Sequence, residues 1–249
     1  MEVLKWILIV LGIAVGAVVV GYLLIWAISP LFIRGEEYDK NSKFYRWLLN
    51  SSTGIATKIL RIKFHNTGFE KIPTDTRFLL VCNHRSNYDP ILSWYAFRKF
   101  TPAYISKPEN FKIPIYGRII RKCCFMAIDR GSARNSMKTV IRAVKLLKSN
   151  EVSVAVYPEG TRSKKLKLLK FHNGMFKIAE KAQVPVVVAV ITGTETVKER
   201  YPFHTSHIHI DVLDVIPYSY IAENGTDATS DLARSLMIEK LKEYGEENE

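Results

Sequence analysis

Residues 77–90 read RFLLVCNHRSNYDP, and this stretch decides the fold class. The run 77–82 (RFLLVC) is short, apolar and β-favouring, which suits a strand buried on both faces. Asp89-Pro90 then opens a helix, predicted over 90–99 with Asp89 as N-cap and Pro90 in the first helical position. Strand, polar loop and helix make the repeating unit of an α/β sheet. The alternation continues outward. Apolar runs recur at 123–128 (CCFMAI), 152–157 (VSVAVY), 185–191 (PVVVAVI) and 208–216 (IHIDVLDVI). Helical patterns are predicted at 135–149, where Val140, Val144 and Leu147 share a face, at 171–182, and at 231–243 before an acidic tail. The expected fold is therefore α/β, with a mainly parallel sheet flanked by helices and ligands at the carboxyl ends of its strands. No repeat or low-complexity linker interrupts it.

The chain has 249 residues, 47% hydrophobic and 24% charged, which excludes a disordered chain and allows a sizeable core. Three cysteines, at 82, 123 and 124, argue against a secreted disulfide scaffold and fit a reducing compartment. Cys82 reads as a core residue, and Cys123-Cys124 as core packing with one exposed thiol. The net charge of +12 is concentrated: residues 98–181 hold 20 Lys or Arg against 5 Asp or Glu. Such a segment implies an anionic partner, whether nucleic acid, membrane surface or phosphorylated substrate.

Residues 6–33 (WILIVLGIAVGAVVVGYLLIWAISPLFI) carry no charge. Pro30 is expected to end the helix, leaving about 6–28 as a membrane-spanning candidate. Trp6 at one end, with Tyr22 and Trp26 at the other, suits interfacial positions. The run is too long for a signal peptide and lacks a fitting cleavage site. Gly12 and Gly16 form a G-x-x-x-G, a weak packing signal. Only Lys5 precedes the span, whereas Arg34, Lys40, Lys43 and Arg46 follow it, so the remainder is expected on the cytoplasmic side. Residues 44–62 are predicted as a second helix that either lies on the membrane or covers the core. The expected organisation is a hydrophobic anchor over 1–33, an amphipathic, interfacial helical segment over 34–66, and an α/β domain over 67–249.

Two polar loops follow predicted strands. In the first, His84 and Asp89 are five apart, which in a continuous helix puts them ~140° off one face. A turn ahead of the helix folds Asp89 back toward His84. A carboxylate on one ring nitrogen then fixes the tautomer and leaves the other as a base. The alternative is that Asp89 merely caps the helix and His84 is a surface residue. The second loop, Pro158-Glu159-Gly160-Thr161-Arg162-Ser163-Lys164-Lys165, offers a glycine, two hydroxyls and three cations, which suits a phosphate; a solvated basic turn is the alternative. No Walker, Rossmann or G-x-S-x-G motif occurs. His204, His207 and His209 lack a completing carboxylate, so no metal is expected.

Four blocks in order resemble the 1-acylglycerol-3-phosphate acyltransferase family. They are NHRSNYD at 83–89 (its H-x-x-x-x-D block), KPENFKIPIYG at 107–117 running on to Ile128-Asp129-Arg130, YPEGTRS at 157–163, and VPVVVAVI at 184–191. Two positions depart: Val188 stands where the family often has proline, and His172 where a basic residue is common. The resemblance implies transfer of an acyl group from acyl carrier protein or acyl-coenzyme A to the sn-2 hydroxyl of lysophosphatidic acid, giving phosphatidic acid. It makes His84 the general base and Asp89 its orienter. Arg162, Gly160 and Thr161 would hold the acceptor phosphate, with Lys107 as a second cation. Glu159, in the same substrate-binding block, is expected to hold Arg162 or a backbone amide rather than touch phosphate. An apolar tunnel for the acyl chain is implied, membrane lipids are partners, nucleic acid is not, and no cofactor is required. The alternatives are a different lysophospholipid or lipid alcohol as acceptor, or a non-catalytic membrane-anchored protein that binds anionic lipid.

Overall fold

Leu79–Cys82 (β2) is buried along its whole length and forms the middle of a seven-stranded sheet. The structure, a computed structural model, describes residues 1–35, 37–163 and 166–246. The other strands are β1 (Ile62–Thr67), β3 (Pro102–Ser106), β4 (Met126–Ala127), β5 (Ser153–Val156), β6 (Val186–Thr192) and β7 (Ser206–Ile216). Their order is β1-β7-β6-β2-β5-β3-β4. The strands from β6 to β4 run parallel; β7 is antiparallel to β6, and β1 pairs parallel with β7. The sheet is thus mainly parallel, as the apolar runs predict. The helices are α1 (Glu2–Ile28), α2 (Lys43–Ile59), α3 (Asp89–Ala96), α4 (Tyr116–Lys122), α5 (Ala133–Lys148), α6 (Lys177–Ala182), α7 (Val197–Arg200) and α8 (Tyr218–Glu243).

Several local expectations are corrected. Residues 62–66, placed with a helical segment, belong to edge strand β1 (Ile62–Thr67); Lys63 and His65 disguise it because only one face needs to be apolar. β3 opens on Pro102, tolerated at a strand's first residue, and its Thr-Pro start conceals it in the sequence. The 123–128 strand shrinks to two residues. Both Cys123 and Cys124 are fully buried, so neither thiol is exposed. α6 begins at Lys177, later than expected, and α8 begins at Tyr218, earlier, with a break at Gly225 (φ 80°, ψ 176°). Asp89 lies in the first turn of α3 rather than at its N-cap, which is Tyr88.

No residue of α1 is buried, and by length and composition the helix is long and apolar enough to cross a membrane. It ends just ahead of Pro30. Near that end Tyr22 meets α2: its hydroxyl is 2.9 Å from Ser51 Oγ, and its ring lies edge-on to Trp47. Tyr22 and Trp26 are therefore half-buried against the domain rather than free. Of the two readings of the second helix, covering the core is the one seen. α2 buries Tyr45, Leu48 and Leu49 on the core while Phe44, Trp47, Ile55 and Ile59 stay exposed. Arg46 locks it down, donating to Asn41 Oδ1 (2.7 Å), Pro102 O (3.0 Å) and Cys123 O (3.2 Å).

At the carboxyl end of β2, buried Asn83 clamps the sheet. Its Nδ2 donates to Ile191 O (3.0 Å) and its Oδ1 accepts from Ile191 N (2.7 Å), tying β2 to β6. Asn83→Ala leaves two buried backbone groups unpaired, and should lower unfolding free energy by about 2–4 kcal/mol in a denaturant titration. A loss below about 0.5 kcal/mol would show the clamp to be dispensable.

Candidate active site

The loops after β2, β5 and β6 converge where the sheet's central strands end. Asp89 folds back on the loop that precedes its helix. Its Oδ2 accepts from His84 Nδ1 (2.7 Å), Arg85 N (2.5 Å) and Ser86 N (2.7 Å). Its Oδ1 accepts from the Thr194 hydroxyl, delivered by the loop after β6. Asp89 has no solvent exposure, so these donors replace water completely. Oδ2 already accepts from two backbone amides, so it faces Nδ1 as an acceptor. Nδ1 of His84 must therefore carry the proton, and Nε2 keeps its lone pair. Among the described residues Nε2 has no hydrogen-bond partner, and the side chain remains 17% exposed. The ring stacks on Tyr157 at 4.4 Å between centroids. The Tyr157 hydroxyl donates to Ser93 Oγ (2.8 Å), whose own proton goes to the Asp89 carbonyl (2.6 Å).

The loop after β5 is fastened to the same imidazole-bearing segment. Buried Glu159 accepts from His84 N (2.5 Å) through Oε1 and from Leu169 N (2.9 Å) through Oε2. Burial pushes its carboxyl up to about 7, against the pull of those two amides. Ser163 N donates to His84 O (2.8 Å) from the far side of the loop. Gly160 has φ +69°, and a Cβ there would come within 2.8 Å of the His172 ring, so both backbone and space require glycine. His172 thus packs over the loop that the sequence offers for phosphate.

The structure brings His84, Asp89, Glu159 and Gly160 into one bonded assembly. Thr161 and Arg162 stand exposed at the loop's outer edge, and Lys107 is exposed at the carboxyl end of β3, two strands from β2. Lys164 and Lys165 lie outside the described residues. Beyond Asp89, Pro90 and Ile91 open a cavity of about 200 Å³ whose wall includes Trp26, Leu49, Trp94 and Phe125. Thr194 is not singled out by the sequence, where Gly193, at φ +85° after a buried apolar run, is its one signal; Tyr157 appears there only as the opening residue of the YPEGTRS block, without a role. Burial pushes the Cys82 thiol far up, Cys123 up to about 12 and Cys124 up to about 11, so none is poised as a nucleophile. His207 and His209 share a face of β7 with His65 of β1, but no metal-holding group of three or more ligands occurs among the described residues.

A family model described as Acyltransferase matches residues 61–192, more than half of the chain, from β1 through both loops to the end of β6. The chain belongs to the Acyltransferase family. It is 26% identical to the 1-acyl-sn-glycerol-3-phosphate acyltransferase of Escherichia coli, over 70% of this chain and 73% of that one. It is 24% identical to the Haemophilus influenzae enzyme of the same name, over 82% and 88%. The crystal structure of PlsC, the 1-acyl-sn-glycerophosphate acyltransferase of Thermotoga maritima, matches with a TM-score of 0.69 at 24% identity, over 92% of this chain and 90% of that one. That likeness establishes the shared fold. This acyltransferase carries its His-Asp pair within the matched span.

Because Glu159 titrates higher folded than unfolded, its stabilising contribution is full below the ordinary carboxylate range and is lost as pH rises through about 7. The difference amounts to roughly 3 kcal/mol. Unfolding free energy should therefore fall more steeply between acid and mildly alkaline pH in the wild type than in Glu159→Gln. Parallel pH profiles would contradict this.

Proposed function

We propose that the enzyme transfers an acyl group from an acyl thioester, carried by acyl carrier protein or coenzyme A, to the sn-2 hydroxyl of 1-acylglycerol 3-phosphate. The product is phosphatidic acid. The observation that carries this reading is the proton inventory at His84. Nδ1–H is held by Asp89, and bare Nε2 faces the site with no protein partner among the described residues. An alcohol attacks a thioester only as its proton leaves, and Nε2 accepts that proton while the alkoxide oxygen bonds to the carbonyl carbon. The carbon–sulfur bond then breaks and the thiolate takes the proton back from Nε2. The resulting imidazolium is stabilised by Asp89, and no acyl-enzyme forms.

The acceptor phosphate is assigned to exposed Arg162 with the Gly160-Thr161 backbone, and Lys107 serves as an outer cation. Glu159 supports this loop from beneath by holding two backbone amides. The cavity lined by Pro90, Trp94 and Trp26 of α1 suits an acyl chain arriving from a bilayer. α1 anchors the enzyme in the cell membrane, the exposed apolar side of α2 rests at the interface, and the catalytic domain faces the cytoplasm. The relatives' names support this acceptor.

The test is thioester consumption by the purified full chain with lysophosphatidic acid. His84→Ala should lower turnover by about 10²–10⁴ with unchanged membrane partition. Near-normal turnover would remove the general base. Arg162→Ala should raise KM for lysophosphatidic acid roughly 10- to 100-fold with kcat little changed, the loss of one or two charge-assisted bonds. The same shift with an unphosphorylated monoacylglycerol would remove the phosphate role.

A further inference from the structure

A second polar hollow lies at the other end of the sheet. The residues leading into β2, β3 and β5 meet the first turns of α2 around an open cavity of about 770 Å³. Those strands are parallel, so the cavity and His84 stand at opposite strand ends. Seven residues from Arg77 to His84 set them roughly 20 Å apart.

Four cations line this cavity: Lys43, Arg46, Arg77 and Arg98. Its single acid, Glu151, is already bound by Asn41 N (2.7 Å) and Lys40 Nζ (3.2 Å), which hold its carboxyl below the ordinary range. None of the four lining cations forms an ion pair among the described residues. Besides Arg46, whose three bonds hold it against the core, two are fixed in place. Arg77 donates to Asn150 O (3.1 Å) and Thr101 Oγ1 (2.8 Å); Arg98 donates to Tyr95 O (2.6 Å) and lies over the Tyr95 ring at 4.2 Å. Guanidinium groups oriented by neutral acceptors meet no countercharge there and have spare N–H groups for an anion. Asn50 adds a polar demand of its own: its Oδ1 is buried on the cavity wall with no hydrogen-bond partner. An anion alone cannot satisfy that acceptor, but a hydroxyl on the same ligand can. The cavity also borders the anchor, since its lining residues Trp47 and Ser51 are the ones that contact Tyr22 of α1.

We propose that this cavity is a non-catalytic site for a polyol-phosphate headgroup carried by an anionic membrane lipid. Phosphate sits among Lys43, Arg77 and Arg98, and a headgroup hydroxyl donates to Asn50. A free polyol phosphate offers the same chemistry; the position beside α1 favours the lipid-borne form. The inference rests on α1 being membrane-embedded and is independent of the acyl-transfer chemistry.

The full chain in detergent is titrated with glycerol 1-phosphate while Trp47 fluorescence is followed, with Trp47→Phe identifying the signal. Saturable binding is expected, weakened about tenfold or more by Lys43→Gln/Arg98→Gln. Both side chains are at least partly exposed, and an unchanged unfolding midpoint verifies the fold. Inorganic phosphate should bind more weakly than glycerol 1-phosphate, and Asn50→Leu should erase that difference. In flotation, wild type should prefer phosphatidylcholine vesicles containing phosphatidylglycerol over phosphatidylcholine alone, and the double variant should lose most of that preference. Lys138→Gln/Lys148→Gln, with equal charge loss on exposed α5 positions, should keep it. No saturable signal, or an equal loss in the α5 control, overturns the site. Glycerol phosphate binding combined with an unaltered vesicle preference in the double variant overturns the lipid as its occupant.

Discussion

A carboxylate can sit in a protein interior without an ionic partner only if N–H and O–H donors replace its entire water shell. Asp89 meets that condition, and the requirement organises the site. Its donors come from the loop after β2, which supplies two amides and the imidazole, and from the loop after β6, which supplies Thr194. Buried Glu159 ties in the loop after β5 by taking the His84 amide and the Leu169 amide, though two donors do not offset its burial and its carboxyl is pushed up to about 7. Three loops from adjacent strands are thereby joined through two acids, with His84 bonded to both. Rotating the imidazole away from Asp89 forfeits a charge-assisted hydrogen bond of 2.7 Å and the stacking on Tyr157. Its free nitrogen stays directed by the fold rather than by substrate.

Much of this was legible in the sequence because continuous apolar runs mark strands buried on both faces, and a burst of polar residues after such a run is costly unless used. That logic located β2, β5 and β6 and drew attention to His84 and Asp89. Residues whose role depends on long-range placement were not legible. Thr194 is 105 residues from Asp89, and a lone threonine carries no pattern that points to a distant carboxylate. β1 and β3 were hidden for local reasons, an edge strand needing few apolar residues and a strand beginning on proline imitating a turn. Cys124 was misjudged because adjacent residues of a strand alternate faces, whereas here the pair lies in a turn, with Cys124 at φ 63°.

The chain's positive charge divides along the strand axis. At the carboxyl ends, Arg162 and Lys107 stand exposed near the His-Asp pair, while Arg85 is buried and answered by Glu246 (2.6 Å) and Glu195 (3.7 Å). That pairing ties the end of α8 to the residue following His84, so this cation is structural. At the amino ends, Arg46 is likewise consumed by carbonyl oxygens, whereas Lys43, Arg77 and Arg98 have no ion-pair partner among the described residues. One sheet therefore presents cations at both ends, with base chemistry at only one of them.

The central claim concerns where one proton resides, and nitrogen-15 NMR of the histidine-labelled full chain in mildly alkaline buffer reads it directly, with His84→Ala assigning the signal. The account predicts a neutral His84 ring protonated on Nδ1 and bare on Nε2, with that preference lost in Asp89→Leu. A ring protonated on Nε2 in the wild type would contradict it, since such a ring has no base to offer the acceptor hydroxyl.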